Sequence, residues 1–541
     1  MAERYAEARR NFRLDVPDNY NFGYDAIDRW AADPDKLAMH WVGPGGAERR
    51  VTFAELRADA NRLAAALRRL GVAPGERAVV VLPRIPEWQI AMIGLLRAGV
   101  VALPGTTQLQ PKDLAYRIRE SETSVIICDD TTAGRVDTVR RDLPTLKQLI
   151  VVGAKRDGWH TWDDLLAAED GTLARVPTRA DDPALIFFTS GTTGNAKMVL
   201  HNGRYPAAHV ITGKYWLDLG PDDLHWNASD TGWAKAAWSS LFGPWNQGAA
   251  LFIQQPAPGP FNAAELLDLL AKYPITSLCG APTIYRMVVQ EDLAQYTFPH
   301  LRRCVAAGEP LNPEVIEIWR RHTGLTPADG YGQTETVLAV GNFPGEAIRP
   351  GSMGKPAPGY DLAILDDDLQ PVAAGVEGNV AIRVKPARPA GLLVEYWKAP
   401  DTNARSFRGD WYLTGDRASC DEDGYFWFVG RADDVILSAG YRIGPFEVES
   451  ALIEHPAVAE AAVVGAPDPI RGEVVKAYVV LARGYSPSNE LAAELQDHVK
   501  NTTAPYKYPR QIEFTTELPK TISGKIRRVE LRARTQATQP Q

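Results

Sequence analysis

From Thr52 to about Ser190 the chain alternates short apolar runs with stretches whose apolar residues recur at helical spacing. Thr52-Phe53-Ala54-Glu55 has the form of a capping box, a hydroxyl and a carboxylate three residues apart that satisfy each other's backbone donors. Leu56, Ala60, Leu63, Leu67 and Leu70 follow as a helical stripe, and Gly71 supplies a stop. Residues 78–82 read as a buried strand, 88–97 as a helix and 100–103 as a strand; 124–128, 149–152 and 184–188 continue the strands. This alternation predicts an α/β fold, with parallel sheets covered by helices and ligands gathered at the carboxyl ends of strands.

Further on, the Pro- and Gly-rich stretch 255–261 reads as a connection between two subdomains. Trp216, Trp226, Trp233, Trp238 and Trp245 crowd one segment; most are expected in the core, with one or two left to line an apolar ligand pocket. Residues 411–416 and 424–429 predict two strands joined by a turn. After residues 431–434 the pattern becomes α+β: helix 447–453, strands 458–464 and 474–481, helix 491–499. The expected division is a large domain over 1–430, a hinge at 431–434 and a small mobile domain over 435–541, with only 535–541 disordered.

Composition narrows the picture. A chain of 541 residues exceeds one core, and a net charge of −8 argues against nucleic acid. No apolar run is long enough to span a bilayer, so a soluble protein is expected. The N-terminus lacks an apolar signal core, and Glu3, Glu7, Asp15 and Asp18 fit a transit peptide poorly. Cys128, Cys279, Cys304 and Cys420 are scattered, without zinc or disulfide spacing, which implies a reducing compartment. Frequent Ala, Arg and Gly point to a GC-rich bacterial genome, and the resulting expectation is a cytoplasmic bacterial protein.

The chemistry begins after the strand at 184–188. Thr189-Ser190-Gly191-Thr192-Thr193-Gly194-Asn195-Ala196-Lys197 combines glycines that let backbone N–H groups approach an anion, donating hydroxyls and a lysine charge. The spacing is not that of the common phosphate loop, and a surface turn is the competing reading. Four more motifs follow. Gly330-Tyr331-Gly332-Gln333-Thr334-Glu335, just after Asp329, sets a hydroxyl beside a carboxylate. Trp411-Tyr412-Leu413-Thr414-Gly415-Asp416 ends a strand on an acid. Gly430-Arg431-Ala432-Asp433-Asp434 puts a base beside two acids, and Pro519-Lys520-Thr521-Ile522-Ser523-Gly524-Lys525 offers a lysine on a short turn. Each alone reads equally as a turn or a solvated charge cluster; the ordered set does not.

With these motifs the sequence closely resembles the adenylate-forming superfamily of acyl-CoA synthetases, luciferases and peptide-synthetase adenylation domains, over about 19–532. Ser229-Asp230-Thr231-Gly232-Trp233 and the stretches 438–445, 467–473 and 504–510 are similar to the medium-chain acyl-CoA synthetase branch, which also activates benzoate-like acids. Ala196 and Ala439 depart from the usual pattern, and neither removes a functional group.

The resemblance implies a two-step reaction in which a carboxylate attacks the α-phosphorus of ATP and the CoA thiol then displaces AMP. It implies that Thr189, Ser190, Gly191, Thr192, Thr193, Gly194 and Lys197 hold the terminal phosphates, and that Asp329, Gly330, Tyr331, Gly332 and Gln333 line the nucleotide. Thr334 meets the α-phosphate, Glu335 carries Mg²⁺, Asp416 and Arg431 hold the ribose, and Lys525 is catalytic. The small domain turns about Asp433. Ala439, Gly440 and Tyr441 line the pantetheine tunnel, Arg442 alternates between phosphates and CoA, and Arg471, Lys500, Tyr508 and Arg510 meet the CoA nucleotide. A solvated basic rim is the other reading of these last four. Trp233, Gly280, Ala281, Pro282, Gly308 and Gly330 shape the acid pocket. Medium-chain, branched and aromatic acids all remain open, as do monomer and homodimer. Loading of a carrier protein in place of CoA, and a non-catalytic nucleotide binder, are the alternative functions.

Overall fold

The computed structural model describes residues 2–189, 196–259, 261–439, 441–520 and 526–537. The predicted capping box is formed: Glu55 N donates to Thr52 Oγ1 (3.2 Å) and Thr52 N to Glu55 Oε2 (2.7 Å). It opens the helix Phe53–Arg69, whose buried stripe includes Phe53, Leu56, Ala60, Leu63 and Leu67. That stripe packs on the buried helix Pro86–Ala98 at very short range. A Cβ at Gly94 would lie 2.7 Å from Leu63 Cδ2, so glycine is what lets the two helices meet.

Four sheets organise the chain. One has eight strands and contains the predicted series: Arg77–Val81, Val101–Pro104, Val125–Asp129 and Gln148–Val152 lie parallel, joined by Pro183–Thr189. Lys197–Asn202 returns antiparallel beside Pro183–Thr189. The other large sheet has nine strands, in which Leu37–Val42, Ala250–Gln254, Leu224–Asn227, Ser277–Gly280, Arg303–Ala307 and Ala328–Tyr331 run parallel. Residues 255–261 are therefore not a connection between subdomains. They join the strand Ala250–Gln254 to the helix Ala263–Lys272, and the chain returns to the same sheet at Ser277–Gly280. Proline and glycine mark the break in regular structure but carry no record of which strands pair across it.

The tryptophan segment fills the core around this nine-stranded sheet. Trp216, Trp226 and Trp245 are fully buried and Trp238 nearly so, while Trp233 is only half-buried. A Cβ at Gly330 would sit 2.5 Å from the Trp216 ring and one at Gly332 would sit 2.2 Å from Trp238. The glycines of the 330–335 motif thus admit core indoles.

The third sheet is antiparallel and holds Trp411–Cys420 and Phe426–Arg431 as neighbours. The fourth belongs to the smaller C-terminal domain, where Val458–Asp468 and Gly472–Leu481 form a long antiparallel pair. Helices Pro445–Ile453 and Asn489–Thr502 cover one face through Val448, Leu452, Leu495 and Val499. The helix Arg528–Ala537 covers the other through Leu531, against Ala462, Val464 and Tyr478. Thr535 belongs to that helix, is buried, and lies with its Oγ1 2.8 Å from Tyr478 Oη, so disorder does not begin at 535. Cys128, Cys279 and Cys304 are buried, and Cys420 is half-buried; all are free thiols. No helix among the described residues is long and apolar enough to cross a membrane.

The Leu63–Gly94 contact yields a stability test. Leu63→Ala is expected to cost ~2–5 kcal/mol in urea unfolding. Gly94→Ala alone is also destabilising, but the Leu63→Ala background removes the Cδ2 and Cγ contacts at 2.7 and 3.1 Å and leaves only the Cβ contact at 3.1 Å. The double variant then loses less than the sum of the two single changes.

Candidate active site

The site is assembled where the two large sheets and the third sheet meet. Pro183–Thr189 and Lys197–Asn202 form the stem that brackets the phosphate-type loop, with Thr189 paired to Lys197. Ser190, Gly191, Thr192, Thr193 and Gly194 lie outside the described residues. Lys197 Nζ stands 5.6 Å from the centre of the Tyr396 ring, and Tyr396 Oη donates to Glu335 Oε1 (2.8 Å). Tyr412 Oη completes a chain at 3.0 Å from Tyr396 Oη. Burial pushes the Glu335 carboxyl up from its ordinary value, and the bond from Tyr396 opposes that rise.

Thr334 is held from a different direction. Its carbonyl lies 2.8 Å from His201 Nε2, on the same strand face as Lys197, four residues along. Burial drives His201 down to about 3, so the ring is neutral and Nε2–H is the donor. The ring stacks on Tyr205 at 3.8 Å. Glu335 O accepts from Leu393 N at 2.7 Å. The backbone of the Thr334–Glu335 pair is thus fixed on both sides.

Asp416 is nearly buried, and its Oδ2 accepts from Tyr331 Oη (2.7 Å) and Gln333 Nε2 (2.6 Å). Gln333 Nε2 also donates to Thr414 O (2.9 Å). Across the strand pair Asp416 stands opposite Arg431. Burial pulls the Arg431 guanidinium down, but Asp416, Asp433, Asp434 and Glu335 together hold it above its usual value. Asp329, second in the strand Ala328–Tyr331, accepts from Leu311 N (3.2 Å) and Gly330 N (2.9 Å), yet burial lifts its carboxyl to about 7.

Among the described residues no group of three or more His, Cys, Asp or Glu could hold a metal. The donor set therefore excludes an all-protein cage from these residues. It fits Mg²⁺ held by one carboxylate, that of Glu335, and completed by substrate phosphate oxygens.

Lys525 lies outside the described residues, while the residues that flank 521–525 are defined. Lys520 and Ile526 pair as an antiparallel bridge, and Arg527 N donates to Pro519 O (2.8 Å). Arg528 donates to both oxygens of Glu449 (2.7 and 2.8 Å). Burial lowers its pKa, but Glu449, Asp434 and Glu309 outweigh burial and raise it. Glu309 follows the strand Arg303–Ala307, so Arg528, at the start of the last helix, lies near the nine-stranded sheet. Asp433 faces Arg431 (3.3 Å), and Arg532 grips Asp434 (2.5 Å).

The basic residues of the small domain divide into groups. Lys500 and Arg510 both lie against the Tyr508 ring, 4.4 and 4.8 Å from its centre. Ala439 N donates to Arg471 O, and Ala439 has a left-handed φ of 50°. Arg442 sits 3.7 Å from Asp367, in the turn that follows the third-sheet strand Leu362–Leu365, and Tyr441 stacks on Tyr506 at 4.3 Å. Gly440 lies outside the described residues.

At the expected acid pocket, Trp233 caps the helix Ala234–Ala237. Gly280 ends its strand and Ala281 and Pro282 open the next helix. The side-chain space at Gly280 is filled by Tyr285 and that at Gly330 by Trp216, while Gly308, at φ 114°, faces open space. Sequence reasoning missed His201, Tyr396 and Lys235. His201 was reachable, because alternation along the strand puts it on the face of Lys197.

The sequence matches the AMP-binding enzyme family over residues 27–389 and the AMP-binding enzyme C-terminal domain over residues 447–525. The mitochondrial acyl-coenzyme A synthetase ACSM3 of Mus musculus is 49% identical, across 98% of this chain and 93% of its own. The mitochondrial ACSM4 of Homo sapiens is 47% identical, across 97% and 92%. Among solved structures, the anthranilate CoA ligase AuaEII in complex with anthranoyl-AMP superposes with a TM-score of 0.89 at 32% identity, covering 97% of this chain and 99% of that one. A benzoate CoA ligase from Burkholderia xenovorans LB400 gives 0.83 at 30%, covering 95% and 100%. The expectation of a cytoplasmic bacterial protein is overturned by the ACSM3 and ACSM4 relatives, which are mitochondrial enzymes of mammals. Residue usage carries no address, and scattered thiols report only a reducing environment.

Asp329 gives the site a pH signature. A folded carboxyl raised from 3.8 to about 7 binds its proton more tightly than the unfolded one. Its contribution to stability is complete below the unfolded value and is lost as pH rises from about 4 to about 7, by on the order of 2–4 kcal/mol. Asp329→Asn is expected to flatten that slope in urea midpoints measured from pH 4.5 to 8, and an unchanged slope would assign it to other groups.

Proposed function

Because the chain belongs to the AMP-binding enzyme family, we propose a division of labour among its site residues for the family's chemistry. The chain is an AMP-forming acyl-CoA synthetase: it ligates a carboxylic acid to CoA at the expense of ATP, through an acyl adenylate. CoA, not a carrier protein, is the acceptor. The observation that carries the reading is the locked unit of Asp416, Tyr331 and Gln333 beside Thr334 and Glu335. It supports the reading by setting Asp416, the proposed ribose acid, against the short motif that carries the proposed α-phosphate and cation groups.

In the first step the acid's carboxylate oxygen forms a bond to the α-phosphorus and the bond to pyrophosphate breaks. Two anions must meet, so the site supplies donors and cations where charge develops. Lys197 and the loop from Thr189 hold the terminal phosphates. Thr334, fixed through its carbonyl by His201, presents its hydroxyl to the α-phosphate. Glu335, oriented by Tyr396, carries Mg²⁺, which offsets phosphate charge when bound. Asp416 accepts from the ribose hydroxyls with Arg431 beside it, and Asp329 borders the nucleotide. Lys525 bridges the carboxylate and the α-phosphate.

In the second step the thiolate of CoA attacks the acyl carbon and AMP leaves. Lys525 must then withdraw, and we assign the turn to Asp433, between a large domain at 1–430 and a small one at 435–541. Leu437, Tyr441, Ile470 and Tyr506 are exposed on the small domain, with Tyr441 stacked on Tyr506. Ala439, Gly440 and Tyr441 would line the pantetheine, and Arg471, Lys500, Tyr508 and Arg510 would take the CoA nucleotide, with Arg442 turning from Asp367 toward it. The acid is a medium-chain, branched or aromatic monocarboxylate held against Trp233, with residues 280–282 and Gly308 at the walls; Gly330, whose side-chain space the core indole of Trp216 fills, serves packing and not the pocket. This class is supported by the acyl-coenzyme A synthetase relatives and by the anthranilate and benzoate CoA ligases.

Lys525→Ala separates the two steps. Acid-dependent ATP–pyrophosphate exchange is expected to fall at least ~100-fold, while conversion of supplied acyl adenylate to thioester persists. Exchange at the wild-type rate would falsify the role given to Lys525.

A further inference from the structure

Lys235 lies outside every motif that defines the family resemblance, yet it occupies the junction of three strand ends. Ser277–Gly280, Arg303–Ala307 and Ala328–Tyr331 are adjacent and parallel, with Gly280 opposite Ala306 and Ala307 opposite Gly330. Beyond these pairs the ladder stops. Pro282 has no N–H to extend it, and the chain turns away at Gly308. Carbonyls at such a termination need donors from elsewhere. Lys235 Nζ supplies them, donating to Gly280 O at 2.7 Å and Ala307 O at 2.9 Å.

The lysine comes from the short helix Ala234–Ala237, which is capped by Trp233. One side chain therefore joins the segment that carries the pocket indole to both strand ends that carry its opposite wall. The buried Asp329 carboxylate on the third strand also feels the Lys235 charge, which opposes the effect of burial and of Glu309. An ammonium bears three donors on a compact centre, so it can hold two carbonyls at once, where a neutral side chain of that length offers fewer.

We propose that Lys235 is a positioning residue that sets the separation between the Gly280 and Ala307 strand ends, and so decides which acids fit against Trp233. This inference rests on the reading of 233, 280–282 and 308 as the acid pocket. Loosening the staple enlarges the gap on the acid side, whereas the nucleotide remains held by the Asp416 unit and by Thr334 and Glu335.

The test uses the full-length enzyme with hexanoate and benzoate as probes. Lys235→Met is expected to raise KM for the preferred acid at least tenfold and to change the benzoate-to-hexanoate ratio of kcat/KM at least fivefold, with KM for ATP within twofold. Lys235→Arg, which keeps a charged double donor, should restore the ratio to within threefold of wild type. Should the methionine variant fail to fold, Lys235→Gln is read by the same ratio. Unchanged acid KM and ratio in a folded variant overturn the proposal, as does a rise in KM for ATP that matches the rise for the acid. Trp233→Ala separates the two levels. If it leaves acid preference unaltered, the pocket is elsewhere and both readings fall. If it shifts preference while Lys235→Met does not, only the role of Lys235 is lost.

Discussion

The carboxylate of Asp416 is the point on which the architecture of the site turns. It projects from the antiparallel third sheet, and the two groups that donate to it, Tyr331 and Gln333, belong to a strand end of the nine-stranded sheet. A nearly buried carboxylate is costly unless its oxygens are satisfied, so the contact both requires and rewards the docking of one sheet against the other. Once that docking is fixed, Arg431 follows on the paired strand and the route into the small domain is set.

A second brace comes from the eight-stranded sheet. Lys197 and His201 project from one strand face, one beside Tyr396, which holds Glu335, and the other onto Thr334. The phosphate-loop lysine and the Thr334–Glu335 pair are therefore positioned by a common rigid element. Sites carried on strands hold geometry better than sites carried on loops, and here the loop needs only to span between two paired strands. Lys235 provides the corresponding brace on the acid side.

What could be read from the sequence depended on how local the cause was. The capping box at Thr52 and the strand before Thr189 are decided within a few residues, and both took the expected form. The tryptophans were legible as core residues because large apolar side chains have few other places to go. The stretch 255–261 was misread because strand pairing is settled by neighbours far away. Thr535 was misread because its burial depends on Tyr478 across the small domain. The bonds from His201 to Thr334 and from Tyr396 to Glu335 span 133 and 61 residues, and composition does not announce them. The motif residues Thr334, Glu335, Asp416 and Arg431 were singled out, as were Tyr331 and Gln333, which meet Asp416, but His201 and Tyr396, which brace Thr334 and Glu335, were not.

The placement of the cysteines bears on fidelity. An activated acyl group beside a nucleotide is open to any sulfur anion within reach, and thiolates are the reactive form of cysteine. Cys279 lies one residue from Gly280 but is sealed within its sheet, and burial drives Cys304 up to about 12 and Cys128 well above the ordinary thiol range. Cys420, only half-buried, is also raised. The chain thus keeps its own thiols protonated or out of reach, and self-acylation is suppressed in favour of the sulfur delivered from outside.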